Sequence, residues 1–219
     1  MLEWFRLKAM ILMKKKKSGI KEKLLKVAIE LFSEKGYDGA TVDEIVNAAG
    51  VNKRMVYHYY GSKELIYQEV LKEVFHRLQN VELAIVHQGD PIENTLKGLV
   101  RAYFNFLATN PEFVNLLLWE NLGKGRHLHS EMPLLSKAPI INLLTEVINE
   151  GSRQGVIRQG LDARYLLINI IGLCLIYFSN SYTLTHTVGL DLQSPAVLET
   201  GIQQVFILLR HGILKSYSD

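Results

Sequence analysis

Apolar residues recur every three to four positions along almost the whole chain, the spacing of one helix face. Ile20, Leu24, Val27, Ala28 and Leu31 share such a face and predict a helix ending near Gly36. Thr41-Val-Asp-Glu44 has the form of a capping box, in which the threonine accepts from a backbone N–H and the glutamate reaches back. Val42, Ile45, Val46 and Ala49 follow as a short apolar stripe, and Gly50 supplies the stop. Asn52 suits the N-cap of a third short helix, Lys53–Tyr60. Gly61-Ser62 breaks the chain again. Ser62 is placed to cap a long helix from Lys63 to about His87, with Leu65, Ile66, Val70, Val74, Leu78 and Val81 as its stripe.

Beyond Gly89-Asp90-Pro91 the pattern predicts helices over Pro91–Thr109, Pro111–Asn121, about Pro139–Glu150, Asp162–Ser181 and Pro195–Ser216. Gly123–Met132 and Leu184–Ser194 are expected to be loops. No stretch alternates as a half-buried strand would, and no unit of 20–50 residues repeats. The expected fold class is all-α.

Composition narrows the function classes. Of 219 residues, 48% are hydrophobic and 21% charged, which is globular rather than disordered. Lys14–Lys63 holds eleven Lys/Arg against six Asp/Glu, whereas Glu64–Asp219 holds twelve against fifteen. A basic front on a mildly acidic remainder points to a polyanionic partner. The single cysteine, Cys174, forms no internal disulfide, so a reducing, cytoplasmic setting is expected, with the thiol as a small buried hydrophobe. Met1–Met13 is apolar but too short to span a bilayer and lacks the charge order of a secretory signal; Met13 is an alternative start. Tyr165–Phe178 is interrupted by Asn169 and falls short of a span of about 18 residues. It is expected to be a buried helix, and no membrane partner is expected.

No Gly-rich phosphate loop, Gly-x-Ser-x-Gly elbow or His-Glu-x-x-His is present, so no enzyme activity, catalytic residue or cofactor is expected. His127, His129 and Glu131 have an alternating spacing inside a glycine-flanked stretch. A solvated loop is the expectation there, and no metal site.

Two short helices joined by a glycine turn form a unit with a physical use. The second, across the first, presents an exposed face that fits a major groove. Val56 and Tyr60, four apart, are the expected core-facing pair, leaving Lys53, Arg54, Tyr57 and His58 outward. Arginine suits a two-pronged contact to guanine, and lysine and tyrosine suit phosphate or mixed contacts. Lys63 opens the next helix, where its ammonium and the free N–H groups of the first turn can hold a phosphate.

The run from Thr41 to Leu65, with Ala49-Gly50-Val51, Tyr57-His-Tyr-Tyr60 and Lys63-Glu-Leu65, resembles the DNA-binding segment of TetR-family transcriptional regulators. Ala28–Thr41 is similar to the family's first helix and its approach to the second. The resemblance covers about Ile20–Leu71. It implies phosphate contacts from Thr41 and Lys63, backbone or base contacts from Tyr57 and Tyr59, and sequence choice by Lys53, Arg54 and His58. Asn52, at the head of the reading helix, completes the expected DNA-binding set. Arg54 departs from the small residue frequent there and leaves the operator sequence open. Lys14–Lys17 fits either a solvated tail or a basic arm adding phosphate contacts.

The resemblance further implies domains over 1–17 (extension or arm), 18–63 (helix-turn-helix) and 64–219 (helical, effector-binding and dimerising). A small-molecule effector, largely apolar, is expected in a cavity of the last, with Tyr103, Leu107, Trp119, Glu120, Asn169 and Tyr177 as lining candidates. Asn169 stands out, because an amide in an apolar helix needs a partner. Asp162–Ser181 is apolar around much of its circumference. With the Leu198, Ile202, Val205, Phe206 and Leu209 stripe of the last helix it is expected to build a homodimer, matching two reading helices to a palindromic double-stranded operator. The expected function is a repressor released by its effector. The alternative is a helical interaction or small-molecule-binding protein without specific DNA recognition.

Overall fold

In the computed structural model, which describes residues 2–85, 90–128 and 136–214, with side chains from residue 19 onward, ten helices follow one another. They are α1 (Leu2–Gly39), α2 (Val42–Ala49), α3 (Arg54–Tyr59), α4 (Lys63–Ile85), α5 (Ile92–Thr109), α6 (Pro111–Leu122), α7 (Ala138–Arg153), α8 (Ala163–Ser179), α9 (Ser181–Val188) and α10 (Pro195–Ile213). The described residues contain one isolated antiparallel bridge, Ile157 to Leu214, and no strand. None of the described helices is, singly, long and apolar enough to cross a membrane.

The chain divides into two compact units, Met1–Val74 with Asn115–His129, and Phe75–Val114 with Ser130–Asp219. The first is built on α1, which packs against α2, on α3 and on the front of α4. Leu24, Ala28 and Phe32 of α1, Ile45 and Ala49 of α2, Val56 of α3 and Ile66, Tyr67, Val70 and Leu71 of α4 are fully buried. In the second, α5 packs on α8 and α10, and α7 on α8. Leu96, Leu99, Val100, Leu144, Ile170 and Cys174 are at its centre.

Several sequence expectations need correction. α1 leaves helical geometry at Gly36 (φ 70°, ψ 178°), near the expected end, but helical turns resume to Gly39. The Lys14–Lys17 backbone lies within α1, and those side chains fall outside the described residues. Leu65 is 48% exposed. The buried face of α4 passes instead through Ile66, Tyr67, Val70, Leu71, Val74, Leu78 and Glu82. Ser181–Val188, expected as loop from Leu184 onward, is α9; Gly189 ends it in the left-handed region (φ 74°).

Asn169 is not buried: it is exposed, on the same side of α8 as Tyr165 (68% exposed) and Ile168 (63%). The physical reason is that α8 is apolar around more of its circumference than its own unit covers. The expected α10 stripe is also differently used. Ile202, Val205 and Leu209 are buried within the second unit, and Ile207 and Leu208 are the apolar side chains left outside.

Candidate nucleic-acid interface

α2 begins at an N-cap, Thr41, in extended geometry. Its hydroxyl accepts from the Glu44 N–H (3.2 Å) and its own N–H donates to Glu44 Oε2 (2.8 Å), so two otherwise unpaired donors are satisfied. Lys35 of α1 donates to Glu44 Oε1 (2.6 Å), which ties α2 to α1. The Lys35 ammonium, then the Thr41 hydroxyl and N–H, hold the Glu44 carboxyl down to about 2. Gly50 (φ 61°, ψ 40°) turns the chain, its N–H donating to Asn47 and Val46 carbonyls.

The chain then enters α3 through Asn52, whose side-chain oxygen accepts from the Arg54 N–H (2.9 Å). Val56 is fully buried, and Tyr60 follows it into the core, its hydroxyl donating to the Lys21 carbonyl (2.8 Å). Burial pushes the Tyr60 phenol up to about 12. With Val56 and Tyr60 inward, Asn52, Lys53, Arg54, Tyr57 and His58 face solvent, and Tyr59 is half-buried with its ring edge-on to His58 (4.9 Å). Tyr57 is 52% exposed, which leaves its phenol open to a partner. Lys53 is not a free cation: its ammonium pairs with Asp43 of α2 (2.8 Å) and must exchange that partner to reach a phosphate. Ser62 caps α4 by accepting from the Leu65 N–H (3.1 Å), and the Lys63 ammonium lies over the Tyr37 ring (4.4 Å).

A short two-helix unit with a buried anchoring pair and an outward row of cationic, imidazole and phenol groups is chemically suited to a duplex groove. Residues 24–70 match the family described as bacterial regulatory proteins, tetR family, and residues 91–206 match the tetracyclin repressor-like C-terminal domain. The chain belongs to the TetR family. Over 174 residues it is 30% identical to the HTH-type transcriptional repressor NicS of Pseudomonas putida, covering 78% of this chain and 82% of that protein. Its fold is similar to that of a TetR-family transcription regulator from Marinobacter aquaeolei VT8 (14% identity, 93% of this chain and 100% of that one, TM-score 0.69). It is also similar to a Clostridium perfringens protein described as a fatty acid metabolism regulator (26% identity, 89% and 100%, TM-score 0.68). As a TetR-family protein, the chain is a DNA-binding transcriptional regulator with an all-helical fold.

The six effector-lining candidates do not share one place in this TetR-family chain. Tyr103, Leu107 and Tyr177 lie in the second unit, the first two buried. Tyr177 is wedged so closely on α10 that a Cβ at Gly201 would meet its ring at 2.6 Å. Asn169 is exposed on α8. Trp119 and Glu120 belong to the first unit. The Trp119 ring covers Gly36, where a Cβ would be 2.9 Å from it, and its Nε1–H donates to the Ser33 carbonyl (3.1 Å).

Glu120 is buried beside Tyr67 and His127. The Tyr67 hydroxyl donates to Oε1 (2.7 Å), His127 Nδ1 is 2.9 Å from the same oxygen, and the His127 N–H donates to Oε2 (3.3 Å). The solvated-loop expectation therefore fails for His127, which is 6% exposed, with its ring tilted against Tyr37 and edge-on to Tyr67. Burial, then Glu120, pushes the Tyr67 phenol well above its ordinary value. A cleft of about 300 Å³ opens beside this cluster, lined among others by Gly36, Tyr37, Trp119, Arg126 and His127. His129 and Glu131 lie outside the described residues, among which no group of His, Cys, Asp or Glu has metal-binding geometry.

Sequence reasoning missed Glu82, a buried carboxyl of the second unit. Tyr103 donates its hydroxyl to Glu82 Oε1, and the Lys137 ammonium lies 2.6 Å from the same atom. The signal was present: Glu82 stands four residues after Leu78, on the apolar face of α4. Leaving a buried polar atom without a partner costs about 1–3 kcal/mol, more for a charged group, so Glu82 marks a specialised position.

Proposed function

We propose that the protein is a dimeric repressor that holds a palindromic operator with two copies of α3 and releases it when a small molecule occupies the second unit. The outward row on α3 supports this reading most directly, with Arg54 and Tyr57 presented on a helix anchored by Val56 and Tyr60. Arg54 is assigned base contact, with Lys53 and His58 beside it; Tyr57 and Tyr59 take backbone or base, and Thr41 and Lys63 take phosphate. Asn52 positions the start of that helix. NicS, to which the chain is similar, is named a repressor, which favours repression over activation. Such a protein acts in the cytoplasm, where the DNA is, and requires no catalytic residue.

The dimer is assigned to the uncovered faces of α8 and α10, where Tyr165, Ile168, Ile176, Ile207 and Leu208 are exposed together with Asn169 and Gly172. An apolar stripe of this kind on two neighbouring helices suits two-fold packing with the same stripe of a second copy. The effector is given an apolar body by the aromatic and aliphatic walls of the second unit, Tyr103, Phe104, Leu107 and Tyr177 among them. It releases DNA only by binding the DNA-incompetent arrangement more tightly; a hundredfold preference corresponds to about 2.7 kcal/mol per site. α4, which begins beside the reading helix and ends in the second unit, is the natural carrier. Selecting bound duplexes from a random pool tests the proposal. An enriched inverted repeat with half-sites about one helical turn apart is expected. Enrichment of no motif would favour the alternative of a helical interaction protein.

A further inference from the structure

The side-chain chemistry of the second unit is uneven around one atom. Glu82 is 1% exposed on α4, yet both of its partners, the Tyr103 hydroxyl of α5 and the Lys137 ammonium just before α7, address Oε1. Oε2 is buried and has no hydrogen-bond partner among the described residues. A carboxylate accepts at two oxygens, and the bare one is an acceptor awaiting a donor. The neighbouring groups do not supply one. Tyr103 is engaged with Oε1, and the Lys137 ammonium lies on that same oxygen. Among the described residues Lys137 is the cation paired with Glu82, and its side chain is 26% exposed while Glu82 is 1% exposed.

We propose that Glu82 is the recognition group for a protonated nitrogen: Oε2 accepts the N–H of an ammonium or amidinium carried on an otherwise apolar effector. The proposal rests on the second unit being the effector-binding domain, and it gives that effector a polar handle. An anionic ligand would meet the carboxylate at the bare oxygen, and a purely apolar one would leave that oxygen unpaired. A cation pairs with it and competes with Lys137 for the same charge. Lys137, on a flexible four-carbon stem, can turn to solvent when the ligand enters.

Calorimetric titration of the full-length protein at pH 7 with benzylammonium, benzyl alcohol and benzoate tests this. The three share a ring and differ in the group offered to Glu82. Benzylammonium is expected to bind at least tenfold tighter than either of the others, and Glu82→Gln to erase that preference. Lys137→Met keeps the carboxylate and removes the competing ammonium, so it is expected to strengthen benzylammonium binding about tenfold. If Glu82→Gln fails to fold, the three-probe comparison on the natural protein and Lys137→Met decide. Equal or tighter binding of benzoate or benzyl alcohol, a preference that survives Glu82→Gln, weaker benzylammonium binding by Lys137→Met, or no benzylammonium binding would each overturn the proposal. The ligand-free natural protein titrated with the enriched duplex keeps the two readings apart. Absence of specific duplex binding there sinks the dimeric-repressor reading, whereas specific duplex binding without a cation preference sinks this inference alone.

Discussion

Replacing Glu120 by alanine removes the acceptor that gathers three groups of the first unit. The Tyr67 hydroxyl and the His127 N–H lose their partner inside a region where Tyr67 is fully buried and His127 is 6% exposed. Each stranded buried donor costs about 1–3 kcal/mol, and two give about 4 kcal/mol as a central figure before any cavity is counted. For a chain of this size that lowers the melting temperature by about 8–16 °C. The pair itself is isolated by a double-mutant cycle with Tyr67→Phe, which removes only the hydroxyl. A bond to a carboxylate of this geometry (2.7 Å) is expected to give a coupling of about 1.5–3 kcal/mol in urea denaturation. Additive losses, with coupling below about 0.5 kcal/mol, would refute the view that this bond holds the end of α6 against α4.

Gly50→Ala tests the turn before the reading helix. The nearest side-chain atom to a new Cβ is Lys23 Nζ at 3.8 Å, so there is room, and the whole penalty is the left-handed backbone (φ 61°). A loss of about 1–2 kcal/mol is expected in urea denaturation, with Gly50→Asn losing less; no loss in the alanine variant would contradict the turn geometry. Glu44 makes stability depend on acidity. Its folded value lies near 2 against an ordinary 4.5, so its contribution is complete above about 4.5 and disappears as pH falls toward 2. Stability profiles of the natural protein and Glu44→Gln are expected to converge across that window; parallel profiles there would refute the Lys35–Glu44–Thr41 arrangement.

The helix-turn-helix was legible because its signals are local. A capping box, a left-handed glycine and an i, i+4 core pair at Val56 and Tyr60 all act within a few residues, and tertiary packing only completes them. The same locality explains the errors elsewhere. α8 is apolar on most sides, so periodicity says nothing about which side its own unit covers, and Asn169 was placed inside when it stands outside. Trp119 and Glu120 line a cleft, but in the first unit rather than the second. Their partners, Gly36, Ser33 and Tyr67, are far off in sequence, and no spacing rule connects them. Thr-rich α9 lacks an apolar stripe, and none of its residues is buried, so its helical form left little trace in the pattern. Glu82 was overlooked because a lone acidic residue on an apolar face is ordinarily discounted as a solvated one.

The side chains of α3 carry the account, and the enriched duplex addresses them directly. Affinities of Arg54→Ala and Tyr57→Ala for that duplex and for random competitor, measured at one fixed salt concentration, separate base reading from phosphate attraction. Both residues are exposed, so unfolding free energies from urea denaturation are expected to stay within about 0.5 kcal/mol of the natural protein. Arg54→Ala is expected to lose about 5- to 150-fold on the enriched duplex and little on random DNA, the worth of a two-pronged guanine contact. Unchanged affinity in both folded variants would mean that α3 does not meet the DNA, and the assignment of the interface would be wrong.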